Sequence, residues 1–234
     1  LKQLFFNYFY VMVELDMNLE QARFNMIEQQ IRTWDVLNLD VLQTLVDVRR
    51  EAFVPVACRS LAFMDTEIPL PSGQHMLSPK LEARLLQELA PTKDESVLEI
   101  GTGSGYMAAL LAHHAQHVTT VEIDAACYAL ATKNFSDYGI QNISAACGDG
   151  ARGWTAQATT YDAILLSGSV PVVPDEILNQ LKVGGRLIAI IGEAPIMSAC
   201  LVTRRTADAW DTQKLFEANI APLLNVKKPS AFHF

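Results

Sequence analysis

Residues 97–112 read VLEIGTGSGYMAALLA: a short apolar run, glycines at alternate positions (Gly101, Gly103, Gly105), then a stretch of helical character. A buried strand that turns through glycines into a helix lets a ligand approach the backbone, because glycine accepts positive φ and has no Cβ to clash. A nucleotide-like molecule is the natural occupant. The spacing narrows the choice, since a dinucleotide fingerprint of the GxGxxG kind would need its third glycine where this chain has the bulky Tyr106.

Outward from this turn, SVLEI (96–100), VTTVEI (118–123), ISAAC (143–147), YDAILLS (161–167) and GGRLIAII (184–191) are short apolar runs. Helical stretches follow Gly105, run from about Ala125 to Tyr138, and lie around Glu176 to Leu181. Such alternation predicts parallel strands joined by covering helices, an α/β, Rossmann-like, doubly wound and mostly parallel seven-stranded sheet. Segments near 199–204 and 215–220 are too close for a full crossover and predict an antiparallel edge. Upstream, residues 20–34 and 39–50 read as helices, the second with Leu39, Leu42, Leu45 and Val46 on one stripe. Ser78-Pro79 is a well-specified helix start, with Ser as N-cap and Pro in the first turn. The chain divides into an apolar arm (1–16), a helical section with a loop (17–79) and a ligand-binding domain (80–234).

Two acids sharpen the ligand. Glu122 closes the second strand of this unit, 21 residues after Gly101, where a carboxylate can accept from ribose hydroxyls. Asp149 sits in the Gly148-Asp149-Gly150 turn after the third strand, placed to accept from an adenine amino group. Taken alone, each also reads as an ordinary strand-end or turn acid; Asp124 reads as a helix N-cap. Glu99 is placed to orient the glycine turn through hydrogen bonds.

The composition limits the partners. The 234 residues include 18 Lys plus Arg and 26 Asp plus Glu, giving a net charge of −8. That acidic balance argues against affinity through nucleic-acid phosphates, so no nucleic-acid partner is expected. Cys58, Cys127, Cys147 and Cys200 form no CxxC and no metal-ligand spacing, and read as small buried residues of a reducing, cytoplasmic compartment. His113, His114 and His117 offer no convincing ligand geometry either, and no metal is expected. The apolar run from Leu4 to Val13 covers ten residues, too short to span a bilayer as a helix, and it lacks a clear cleavage site. Because Met17 resembles a conventional start, residues 1–16 read as an upstream extension, or as an arm packed on the body or on a second copy in a homodimer. Trp154 reads as packing, and Lys227 with Lys228 as a solvated pair.

The GxGxG turn resembles motif I of class I S-adenosylmethionine-dependent methyltransferases, whose ligand has no pyrophosphate. Further stretches are similar to the protein-L-isoaspartate O-methyltransferase family. They are MIEQQI (26–31) with REAFVP (50–55), DTEIPLPSGQHMLSP (65–79), EIGTGSGY (99–106), the GDG turn and YDAILLSGSVPVVPDEILNQLKVGGRLI (161–188). The likeness runs from Asn25 to about Ile191. It implies S-adenosylmethionine as cofactor, held by Glu99, Gly101, Thr102, Gly103, Ser104, Gly105, Tyr106, Glu122, Ile123, Gly148, Asp149 and Gly150. It also implies a peptide or protein partner carrying an altered aspartyl residue, which is methyl-esterified as a repair reaction. Departures fall on the acceptor side. Aligned through Gly73, Gln74 and Pro79, the family Thr falls on His75 and its Ser on Leu77, leaving His75 and Ser78 as candidate catalytic residues. Ser167-Gly168-Ser169 stands where the family usually has Thr-Ala-Ala, and the tail PLLNVKKPSAFHF matches poorly. A relative with a different acceptor, or a binding protein without turnover, are the alternatives.

Overall fold

The computed structural model describes residues 18–155 and 160–226. The arm over residues 1–16 and the Lys227–Lys228 pair lie outside them. Residues 18–26 form helix α1; the chain then widens into a π-helical turn, Ile27–Ile31, tightens into a 3-10 turn, Arg32–Trp34, and stops at Asp35 with φ 60°. The expected single helix over 20–34 is therefore three geometries in succession, with Ile27 and Ile31 both buried. Helix α2, Leu39–Asp47, starts where Asn38 Oδ1 accepts from the backbone of Asp40 and Val41. A two-residue ribbon follows, β1 (Ile68–Pro69) against β2 (His75–Met76), and leads into α3, Pro79–Leu89.

The main sheet has the order β5-β4-β3-β6-β7-β8-β9. Its strands are β3 (Ser96–Ile100), β4 (His117–Glu122), β5 (Ile143–Cys147), β6 (Tyr161–Leu166), β7 (Leu181–Glu193), β8 (Ile196–Thr206) and β9 (Ala209–Glu217). The first five are parallel and the last two antiparallel. Helices α4 (Tyr106–His114) and α5 (Ala125–Tyr138) make the crossovers from β3 to β4 and from β4 to β5. Asp124 caps α5 as expected, Oδ1 accepting from Ala126 and Cys127 N–H at 2.9 Å each.

Burial is unequal on the two sheet faces. Val97, Ala163, Leu165, Ile188 and Ile190 pack beneath α1 to α5, whereas Leu98, Ile100, Ile164, Leu166 and Leu187 meet Trp154, Val170, Val173 and Ile177. Among the described residues only the one-turn helix α6, Asp175–Leu178, serves that second face. The helix expected to reach Leu181 ends early because Gln180 is drawn into extended pairing. Its carbonyl accepts from Tyr161 N–H at 2.7 Å, and its side chain accepts from Trp154 N–H and donates to Trp154 O. β8 and β9 are correspondingly longer than the expected edge segments, running as one meander from β7. Cys147 is exposed at the end of β5, contrary to the expectation of burial, while Cys127 and Cys200 are buried. No helix among the described residues is long and apolar enough to cross a membrane.

Strand order reverses at β3, which pairs with β4 on one side and β6 on the other. The carboxyl ends of the strands flanking that reversal leave a crevice between diverging connections, the place where open α/β sheets bind ligands.

Candidate active site

The crevice is an open cleft of about 140 Å³. Its floor comes from strand ends: Ile100 and Gly101 after β3, Glu122 and Ile123 after β4, Gly148 to Ala151 after β5, Ser167 and Gly168 after β6. One wall is the β1–β2 ribbon with its turn, through Glu67, Leu70, Ser72, Gln74, His75 and Leu77. The opposite wall is residues 221–224.

The glycine turn is held by its neighbours' backbone and by a carboxylate. Gly101 has φ 98° and donates to Val121 O at 2.9 Å; Gly103 has φ 56° and donates to Glu122 Oε2 at 2.8 Å. Glu122 Oε1 accepts from Asp124 N–H at 2.9 Å. Both oxygens of this buried acid thus fix backbone, and each keeps a second lone pair for a ligand hydroxyl. Asp149 is exposed, with Oδ1 accepting from Ala151 N–H and Oδ2 from Asn225 Nδ2, both at 2.9 Å.

Four residues singled out in the sequence lie elsewhere. Tyr106 does not reach the cleft: its ring is buried against Phe53, with centroids 5.5 Å apart, and Arg50 lies over it. Gly105 serves helix packing, since a Cβ there would lie 2.6 Å from Phe135. Glu99 is completely buried and faces α4's side of the sheet, where Oε2 accepts from Thr120 Oγ1 (2.6 Å) and Oε1 from Ser167 Oγ (2.9 Å). Thr102 joins this chain through Thr120, 2.6 Å between hydroxyl oxygens, so Glu99 tethers the turn rather than meeting a ligand. Ser78 holds the N-cap position of α3, but its hydroxyl makes no capping bond and it lines neither recess.

His75, by contrast, lines the cleft and also a smaller recess beside it, together with Thr102, Ser104 and Glu82. Ser167 faces both, whereas Ser169 is buried and spends its hydroxyl on Ile220 O at 3.1 Å.

Residues 221–225 were missed in the sequence. Ser169 N–H donates to Ala221 O and Leu223 N–H to Ser169 O, each at 2.9 Å, laying this segment across the strand ends. Its only sequence signal is the apolar IAPLL after the last strand. Cys127 also lines the cleft, its thiol 3.1 Å from Ser72 Oγ, and burial pushes its pKa up, away from nucleophilic character.

The buried titratable groups around the turn are predominantly acidic. Glu82, Glu99 and Glu122 are all buried, and Arg50 is the buried cation beside them, paired with Glu82. Burial pushes the Glu99 carboxyl up to about 8, and the Glu82 carboxyl up to about 7 against the pull of Arg50. A positively charged ligand at the turn would favour the ionised form of both. A sulfonium fits this donor and acceptor set; a pyrophosphate does not.

The protein-L-isoaspartate(D-aspartate) O-methyltransferase family model matches residues 21–227, so of the tail PLLNVKKPSAFHF only residues 222–227 fall within it. A protein-L-isoaspartate O-methyltransferase 2 from Shewanella sediminis is 39% identical over 189 residues, covering 80% of this chain and 77% of that protein. The protein-L-isoaspartate O-methyltransferase of Rhodopseudomonas palustris is 36% identical over 203 residues, with coverage of 86% and 93%. Among solved structures, one from Plasmodium falciparum, described as a protein-L-isoaspartate O-methyltransferase in complex with S-adenosyl-L-homocysteine, superimposes with a TM-score of 0.73 at 17% identity. It covers 85% of this chain and 96% of that one. At that identity the likeness speaks for the fold.

Proposed function

The chain belongs to the protein-L-isoaspartate(D-aspartate) O-methyltransferase family, and from that premise we propose that it methyl-esterifies isoaspartyl carboxylates in damaged peptides and proteins, using S-adenosylmethionine. The observation that carries this reading is the Gly103–Glu122 hydrogen bond, which locks the glycine turn and a ribose-accepting acid together at the strand-order reversal. In this reading Glu122 takes the ribose hydroxyls on its remaining lone pairs. Asp149, with Gly148 and Gly150, takes the adenine amino end, and Ile123 offers apolar surface beside it. Gly101 and Gly103 let the ligand approach the backbone. Thr102 and Ser104 border the recess beyond.

When bound, S-adenosylmethionine supplies a methyl group already attached to a good leaving group. What remains for the protein is alignment and exclusion of water. An acceptor carboxylate with a reference pKa near 4 is ionised at neutral pH, so no general base is required. His75 orients that carboxylate from the ribbon wall; Ser167, whose hydroxyl proton goes to Glu99, bounds the floor, and residues 221–224 shield the carboxylate. We infer the same division along the chain, with 17–79 as the acceptor side and 80–234 as the cofactor domain. The expected setting is the cytoplasm, with a damaged protein and no nucleic acid as partner. Residues 1–16 are proposed to join two copies; light scattering on the full chain and on one starting at Met17 tests this, and the same number of copies in both refutes it.

The test of the activity is incubation with labelled S-adenosylmethionine and an isoaspartyl peptide beside its aspartyl isomer. Selective, base-labile label on the first supports repair. Label on neither, with cofactor bound, refutes it. A different acceptor is the second reading, favoured by Leu77, an apolar residue lining the cleft where the family hydroxyl falls.

A further inference from the structure

The smaller recess opens beside the main cleft and shares His75, Leu77, Gly101, Gly103 and Ser167 with it. Its wall includes Glu82 from the first turn of α3. The Glu82 side chain is 3% exposed and its Oε2 pairs with Arg50 Nη1. Among the described residues no donor reaches its Oε1, and the residue lines the recess. A carboxylate oxygen at the wall of a recess keeps its lone pairs for a donor that a ligand brings. Arg50 does not turn to it: Nη2 is committed to Leu77 O at 2.7 Å, and Cζ lies over the Tyr106 ring, 5.2 Å from its centroid. The neighbouring Thr102 hydroxyl is engaged with Thr120, 2.6 Å away.

The order of groups along the ligand indicates what arrives there. Adenine at Asp149 and ribose at Glu122 place the sulfur near Gly101 and Gly103, so the amino-acid half must continue past the turn toward Ser167 and this recess. We propose that Glu82 Oε1 receives the α-ammonium of the cofactor's methionine half, with Arg50 as the positioning residue that fixes the carboxylate. This rests on the cofactor reading above. It assigns a ligand contact to a residue on the acceptor-side helix, so cofactor binding braces the same helix that carries the substrate loop at its N-terminus.

The experiment is calorimetric titration with S-adenosylhomocysteine and with its des-amino analogue, in which hydrogen replaces the α-amino group. Wild type should prefer the amino compound by about tenfold or more, the scale of a charge-assisted hydrogen bond. Glu82→Gln should abolish that preference while leaving the affinity for the des-amino analogue within about twofold. The Arg50→Met/Glu82→Met double variant, which replaces the pair by apolar groups and avoids an uncompensated buried charge, should do the same. Equal affinity of wild type for the two compounds overturns the assignment without using any variant, as does a preference that survives in the folded variants. If wild type binds neither compound, the cofactor reading itself falls and takes this one with it.

Discussion

The glycine-turn side of the cleft (residues 100–105 and 119–124) and the ribbon side (67–77) face the same space but are held differently. On the first, the turn backbone is pinned by groups far apart in sequence: Gly101 to Val121, Gly103 and Asp124 to Glu122, Thr102 through Thr120 to Glu99. On the second, a two-residue ribbon is closed by Leu70 N–H to Gln74 O at 2.8 Å, and its functional candidate, His75, is an exposed side chain. The first is a preformed surface that tolerates little change, the second a wall whose side chains can vary while the fold stands. On the proposal made above, cofactor recognition falls to the rigid side and acceptor choice to the variable one.

The largest expected effect tests that rigidity. Gly105→Ala puts a methyl group 2.6 Å from Phe135 at a residue with φ 86°, so unfolding free energy should fall by about 2–4 kcal/mol in urea titrations. A loss below about 1 kcal/mol would mean that α4 and α5 can separate, and the contrast would weaken. Next, Glu122→Ala removes two backbone anchors and the ribose acceptor together. Binding of S-adenosylhomocysteine should weaken by about 1.5–3 kcal/mol in calorimetry. Unchanged affinity in folded material would remove Glu122 from the site.

Glu99 separates the anchoring role from ligand contact through pH. Its folded pKa, raised to about 8 by burial, lies above the unfolded value of 4.5. The folded state therefore holds a proton that the unfolded state releases, so this group's stabilisation is complete below about pH 4.5 and is lost as pH rises toward 8 and beyond. Glu99→Gln abolishes the titration. The stability advantage of wild type over the variant should shrink steadily between pH 5 and 9, and an advantage that grew with pH would contradict a buried, reluctantly ionised carboxyl.

How much could be read in advance follows the same division. Motif and strand order were legible because their constraints are local: alternate glycines impose positive φ, and apolar runs of five or six residues separated by helical stretches allow few topologies. Glu122 and Asp149 were singled out by offset, and both line the cleft. Tyr106 and Gly105 were misplaced because sequence spacing does not reveal that the first turn of α4 faces Phe53 and Phe135 instead of the ligand. Residues 221–225 escaped because their placement depends on pairing with Ser169, over fifty positions earlier, which no local pattern encodes. Glu82 belongs to none of the motifs; only its burial beside Arg50 distinguishes it.

On the variable side, replacing His75 should move acceptor parameters and leave cofactor binding alone. His75→Ala is expected to raise KM for an isoaspartyl peptide by about 3–10-fold, the loss of one exposed hydrogen bond, with S-adenosylhomocysteine affinity unchanged. A fall in cofactor affinity of the same size would move His75 to the other half of the comparison.

The smallest effect is the sharpest discriminator. Ser78 is one position beyond the family hydroxyl, and a slip of one residue in extended chain turns a side chain to the opposite face. That is what separates Leu77, which lines the cleft, from Ser78, which lines neither recess. An N-cap serine normally contributes by accepting from the first turn, and its replacement by alanine costs about 0.5–2 kcal/mol. Here the hydroxyl accepts no such bond, while Pro79 at the first helical position already lacks an N–H and fixes φ. Ser78→Ala should therefore change unfolding free energy by less than about 0.5 kcal/mol, since no side-chain cap is lost. Turnover with an isoaspartyl peptide should stay within about twofold, because no group facing the cleft is removed. A large fall in kcat with stability and cofactor affinity intact would mean that the loop shifts register when the acceptor binds, and the ribbon would then be a moving part of the site.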